Sequence, residues 1–191
     1  MAGALVVASG PSGAKWAKLW ERLGRPALYC VNGVLHDALL RGICEYAVCT
    51  ESECVEAYED QPLKPGGLWI VRSAKAKYYS EPCIAYDESA YWQQGGISIG
   101  GSTIAALEHA TAHYSEVHSI GIDLCYKDER RYWHSDHMDS SGVQEWHGVR
   151  TRWEWAWRAV KLNQWRQGKQ WIDHSAGLLD ILATPRVPAG L

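Results

Sequence analysis

Residues 4–14, ALVVASGPSGA, set a β-branched apolar run directly against a glycine- and proline-rich turn, and AKWAKLWERLG (14–24) follows with helix-favouring residues. The run is short and apolar, the pattern of a buried strand. Behind the turn, Trp16, Leu19, Trp20 and Leu23 recur at helical spacing, and Gly24 supplies a stop. The same alternation continues. Strands are expected at PALYCVN (26–32), EYAVCTE (45–51), LWIVR (68–72), PCIAY (82–86) and VHSIGIDL (117–124). Helices are expected at HDALLRGI (36–43), SECVEAYE (52–59), STIAALEHATAHY (102–114) with Ser102 as cap, and TRWEWAWRAVKLNQWRQ (151–167). GLLDIL (177–182) closes the chain, and 87–95, polar and aromatic, fits no regular element.

Such alternation predicts an α/β fold: a Rossmann-like, open, doubly wound parallel sheet flanked by helices. In such sheets ligands gather at the carboxyl ends of strands, near the reversal of strand order. That rule selects Ser9–Gly13, Asn32-Gly33, Thr50-Glu51 and Asp123–Tyr126.

The 191 residues suffice for one domain with its own core, and no repeat or linker divides 1–191. Hydrophobic residues at 47% and charged residues at 21% predict a packed globule, and a net charge of −3 gives no general attraction to nucleic acid. Eleven Trp and ten Tyr with no Phe suit polar clefts better than dry cores. Six cysteines, 30, 44, 49, 54, 83 and 125, lie singly without a C-x-x-C pair, the pattern of reduced thiols. No signal peptide or transmembrane run is recognisable, so a cytoplasmic protein is expected.

Four segments carry candidate chemistry. Gly10-Pro11-Ser12-Gly13 at a helix start suits a phosphate, but it is neither a Walker loop nor a dinucleotide fingerprint and reads equally as a bend. GGISIGGST (95–103) holds a G-x-S-x-G around Ser98, followed by Asp123 and His134 or His137 in hydrolase order. A nucleophile elbow needs a buried strand before its serine, and Tyr91-Trp92-Gln93-Gln94-Gly95 is too polar for one. Asp123, at the end of a strand, can accept from ribose hydroxyls or cap a turn. His134, Asp136, His137 and Asp139 are hard ligands, yet their loop reads as solvated; no metal site is expected, and a histidine there suits acid–base work. In 146–171, six Trp interleave with Arg and Lys, which favours a helix packed by its Trp face over one that grips a partner.

In order, VVASGPSG (6–13), YCVNG (29–33), GGSTIAAL (100–107) and IGIDLCY (120–126), with a histidine downstream, resemble the bacterial sialyltransferases that use CMP-activated sugars. They equally resemble the related sialyltransferase-like domains that include archaeal hydroxymethylpterin diphosphokinases. The resemblance spans residues 4–137 and implies a glycosyltransferase GT-A-like variant of the fold. By it, Ser9, Gly10, Pro11 and Ser12 line the nucleotide's phosphate and ribose, and Asn32 bonds its phosphate or base. Thr50 matches a polar residue after the third strand, and Gly100, Gly101 and Ser102 hold the nucleotide through backbone amides. Asp123 and Tyr126 lie at the reaction centre, and His134 or His137, or else His147, is the base. Gly13 and Gly100 depart from the Leu and Ser usual in that family.

The activity so implied is glycosyl transfer from a nucleotide-activated sugar, CMP type favoured, to a hydroxyl-bearing acceptor, with no tightly bound cofactor. The rival enzyme is an ATP-dependent pyrophosphokinase of a pterin-like alcohol, needing Mg²⁺ at Asp123 and Asp136. The non-enzymatic rival is a nucleotide-binding interaction module. A homo-oligomer is compatible with each.

Overall fold

The structure, a computed structural model, describes residues 3–50, 63–79, 82–94, 97–98, 101–123 and 149–175. Strands β1 (Gly3–Val7), β2 (Ala27–Val31), β3 (Tyr46–Cys49), β4 (Leu68–Arg72) and β5 (Cys83–Tyr86) follow in chain order. After them come β6 (Gln93–Gln94) and β7 (Ile97–Ser98), a small antiparallel pair, then β8 (Glu116–Ile120) and β9 (Trp171–Asp173). Seven strands form one parallel sheet in the order β5-β4-β3-β2-β1-β8-β9. The chain steps outward from β1 to β5, then returns to lay β8 on the free side of β1. The strand order therefore reverses between β1 and β8. This is the Rossmann-like open α/β sheet that the alternation predicts.

The helices are α1 (Trp16–Arg22), α2 (Ala38–Ile43), α3 (Ser73–Ala76), α4 (Ser102–His113) and α5 (Val149–Trp165). Period-two alternation sends successive strand residues to opposite layers. Leu5, Val7, Leu28, Cys30, Ala47 and Cys49 pack with Trp16 and Leu19 of α1 and Leu40 of α2. Ala4, Val6, Tyr29, Val31 and Val48 pack with Ile104 and Leu107 of α4 and Ala159 and Leu162 of α5. Both faces are thus buried, which explains the near-continuous apolar strands. One carboxylate ties α4 to the outer strands: Glu108 accepts from Tyr86 Oη (2.6 Å) and Trp92 Nε1 (2.8 Å).

Helix α5 meets the sheet through Ala159, Leu162 and the partly buried Trp165. Its lysines lie over rings: Lys161 Nζ is 4.8 Å from the Tyr91 centroid and 5.2 Å from Trp157, and Lys169 Nζ is 4.6 Å from Trp165. Among the described residues, no helix is long and apolar enough to cross a membrane. Cys30, Cys44, Cys49 and Cys83 are free thiols.

Several boundaries differ from the sequence reading. The helix expected from residue 14 starts as a 3-10 turn over Pro11–Lys15, and α geometry begins at Trp16. The strand expected over 117–124 stops at Ile120, because Gly121 turns the chain with φ +86°. Ser102 is the first residue of α4 rather than its cap; Gly101 takes the cap position. Strand β9 and helix α3 were not expected. The helix expected over 52–59 and the segment 177–182 lie outside the described residues.

Candidate functional site

Residues selected by the strand-end rule meet at the carboxyl edge of the sheet, where β1 and β8 diverge. Beyond β1 the chain is clamped to the segment beyond β8. Ala8 N donates to Ile120 O and Gly10 N to Gly121 O, both at 2.8 Å. Asp123 Oδ2 accepts from Ser12 N (2.8 Å) and Ser12 Oγ (3.0 Å), while Ser12 Oγ accepts from Gly121 N (3.0 Å). Asp123 is 2% exposed, so these bonds sit in a low-dielectric setting where an unpaired carboxylate would be costly. Asp123 therefore serves as the N-terminal anchor of the 3-10 turn, one of the two readings its position allowed.

The clamp leaves no room at two glycines. A Cβ on Gly10 would stand 2.5 Å from both Asp123 Oδ2 and Gly121 O. One on Gly121 would stand 2.1 Å from Ala8 O. These glycines exist to let two backbones touch. The clamp also consumes the turn's donors: Gly10 N and Ser12 N are engaged as above, Gly13 N donates to Gly10 O (2.8 Å), and Pro11 has none. A phosphate lying on this turn would meet engaged amides and a carboxylate beneath them. What the turn presents is a rigid wall.

Amides without helical partners lie instead at the start of α4, beside the end of β3. Among the described residues no side chain caps this 12-residue helix, and its first turn holds no acidic residue. Its first intrahelical bond runs from Ala105 N to Gly101 O (3.0 Å), so the amides of Ser102, Thr103 and Ile104 have no helical partner. Those amides and the helix dipole suit an anion. The end is placed by β3: Thr50 N donates to Ser102 Oγ (2.8 Å), and the two hydroxyls lie 3.0 Å apart. Both residues are buried, so their side chains fix the helix start rather than offer themselves to a ligand. Among the described residues, nothing lies within 4 Å of where a Gly101 Cβ would stand.

Asn32 opens the 3-10 turn after β2 in the left-handed region, φ +50°. Its Oδ1 is buried without a hydrogen-bond partner. Neighbouring Ser9 Oγ donates to Val31 O (3.4 Å), joining the turns after β1 and β2. A strained, unsatisfied amide at a strand end commonly marks a ligand contact.

Thus Ser9, Gly10, Pro11, Ser12 and Asp123 come together directly, and Thr50 joins Gly101 and Ser102. Gly100, Tyr126, His134, His137, His147, Asp136 and Asp139 lie outside the described residues. Ser98 sits in the β6–β7 pair, apart from the parallel sheet, so it lacks the strand that an elbow requires. Two residues of this region escaped the sequence reading. Gly121 had a visible signal, a glycine inside a β-branched run. Ser175, whose Oγ accepts from Ile122 N (2.8 Å), had none.

Fold and site define the class: an α/β protein with a Rossmann-like parallel sheet whose strand order reverses between β1 and β8. No protein-family model, curated protein or solved structure matches the chain.

Proposed function

We propose that the chain is a nucleotide-dependent transferase of the GT-A-like kind, a glycosyltransferase that takes a nucleotide-activated sugar in the crevice between the β1 turn and α4. The observation that carries this reading is the start of α4, which no side chain caps among the described residues and which sits at the carboxyl end of β3 in an open parallel sheet. The nucleotide phosphate would lie on the amides of Ser102 and its neighbours. The Ser9–Ser12 turn would pack against the ribose, and Asn32 Oδ1 would accept from a hydroxyl or amino group of the ligand. A histidine of the 124–148 segment, His134 or His137, would take the proton of the acceptor hydroxyl. The acceptor oxygen then bonds to the sugar carbon as the bond to the nucleotide phosphate breaks. Tyr126 would hydrogen-bond the departing phosphate.

A thermal-shift screen of CMP, CDP, UDP, GDP, ATP and pterins, each with and without Mg²⁺, tests the proposal. A cytidine nucleotide at a hundredfold its Kd should stabilise the fold by about 2.7 kcal/mol without metal. Asn32→Ala should reduce that shift. ATP stabilisation that requires Mg²⁺ would favour the pyrophosphokinase, and no shift with any nucleotide would overturn both.

A further inference from the structure

Strand β9 is held to β8 by side chains on both faces as well as by its ladder. On one face Trp171 Nε1 donates to Ser119 Oγ (2.8 Å), and Asp173 Oδ1 accepts from Ser119 Oγ (2.5 Å) and Ser175 Oγ (2.9 Å). Ser175 Oγ in turn accepts from Ile122 N (2.8 Å), between Gly121 and Asp123. On the other face His118 Nδ1 lies 3.0 Å from His174 Nε2, and His118 Nε2 lies 2.7 Å from Glu116 Oε1.

The second face admits few arrangements of protons. A carboxylate only accepts, so His118 Nε2 carries a hydrogen, and the imidazole–imidazole bond needs one hydrogen between the rings. With both rings neutral, His174 Nε2–H donates to His118 Nδ1. One added proton is accommodated: His118 becomes a cation facing Glu116 and donates from Nδ1, while the hydrogen of His174 moves to its own Nδ1. A second proton leaves N–H facing N–H at 3.0 Å between two cations. Burial, then His118, then Arg22 at the end of α1, hold the His174 pKa below its ordinary value. Among the described residues, Glu116 supplies the counter-charge and Arg22 a like charge; Asp173 lies on the opposite face with Ser119.

We propose that Glu116, His118 and His174 form an acid-sensitive clasp, which docks β9 while at most one ring is protonated and releases it when both are. Release withdraws Ser175 from Ile122 and loosens the Gly121–Asp123 turn, so acid acts on the wall of the crevice from outside it.

Hydrogen-exchange protection measured by NMR between pH 7.5 and 5, corrected for intrinsic exchange, tests this without any ligand. The reporters are the His174 amide, bonded to Ser119 O at 2.8 Å, and the Ile122 amide; Val6 in β1 is the reference. Both reporters should lose protection by at least about ten-fold relative to Val6 as pH falls below the ordinary histidine pKa of about 6.5. His174→Gln keeps a polar group at the contact but removes the second titrating ring, and should abolish the loss. Glu116→Gln still accepts from His118 but withdraws the counter-charge, and should move the loss to higher pH. Glu116 is 56% exposed, so this variant decides the matter if His174→Gln fails to fold. Protection that ignores pH, a pH response unmoved by the variants, or release of His174 with Ile122 still protected would overturn the proposal.

Discussion

At the scale of single residues, the fold turns on two glycines and the hydroxyl between them. Gly10 and Gly121 allow the β1 and β8 extensions to approach until a Cβ on either would overlap backbone or carboxylate atoms. Gly10→Ala and Gly121→Ala should each destabilise the protein by about 2–3 kcal/mol or more, read as a lower urea midpoint at unchanged m-value. Gly24→Ala is the internal comparison for Gly121: its φ of +77° is left-handed like the +86° of Gly121, but its surroundings are open. It should show only the backbone penalty, about 1–2 kcal/mol. Equal losses at the three positions would mean that the clamp is not tight. The turn was legible in the sequence because Gly and Pro punctuate a strand end. That Ser12 spends its amide and hydroxyl on a carboxylate 111 residues away was not, because hydrogen-bond partners leave no mark on local pattern.

At the scale of elements, α4 is the part that joins core to crevice. Its start rests on Thr50, and its middle accepts from Tyr86 and Trp92 through Glu108. The indole of Trp92 is fully buried, so Glu108→Ala would leave two donors without an acceptor. The expected loss is about 2–4 kcal/mol by urea denaturation, and Glu108→Gln, with one acceptor oxygen, should fall between. A loss under about 0.5 kcal/mol would show that the carboxylate is dispensable. Long or strongly apolar elements such as α4 and the strands β1, β2 and β4 were legible, since burial marks many residues at once. Strand β9 was not. Three residues carry no period, and its extended shape follows from pairing with β8, from which Val117 N reaches Gln170 O (2.9 Å).

At the scale of the molecule, acid should weaken the fold through a partly buried histidine. His109 packs on Tyr46 and contacts Tyr29 Oη at 2.8 Å; burial, then His113, lower its pKa to about 4. Because the folded form resists the proton, its contribution is complete above the unfolded value of about 6.5. It declines as pH falls from there to about 4, and is flat below. The slope is at most about 1.4 kcal/mol per pH unit, and less here because the side chain is only partly buried. Subtracting the stability of His109→Gln from that of the wild type across this window isolates the effect; parallel curves would contradict it.

The sequence by itself determined the class of fold. Apolar runs separated by amphipathic helices can pair only through crossovers, so a parallel sheet with both faces covered was the available solution. It also marked the strand ends, because glycine, asparagine and threonine there interrupt an otherwise apolar period. The tertiary structure alone decided which strands are neighbours, and so placed the reversal between β1 and β8 rather than elsewhere. It alone turned Asp123 onto Ser12, engaged the amides of the glycine turn and, among the described residues, left those of α4 uncapped. The reason is one of range. Periodicity records what each residue does relative to its chain neighbours, whereas the donors and acceptors of the crevice find their partners only when distant segments meet.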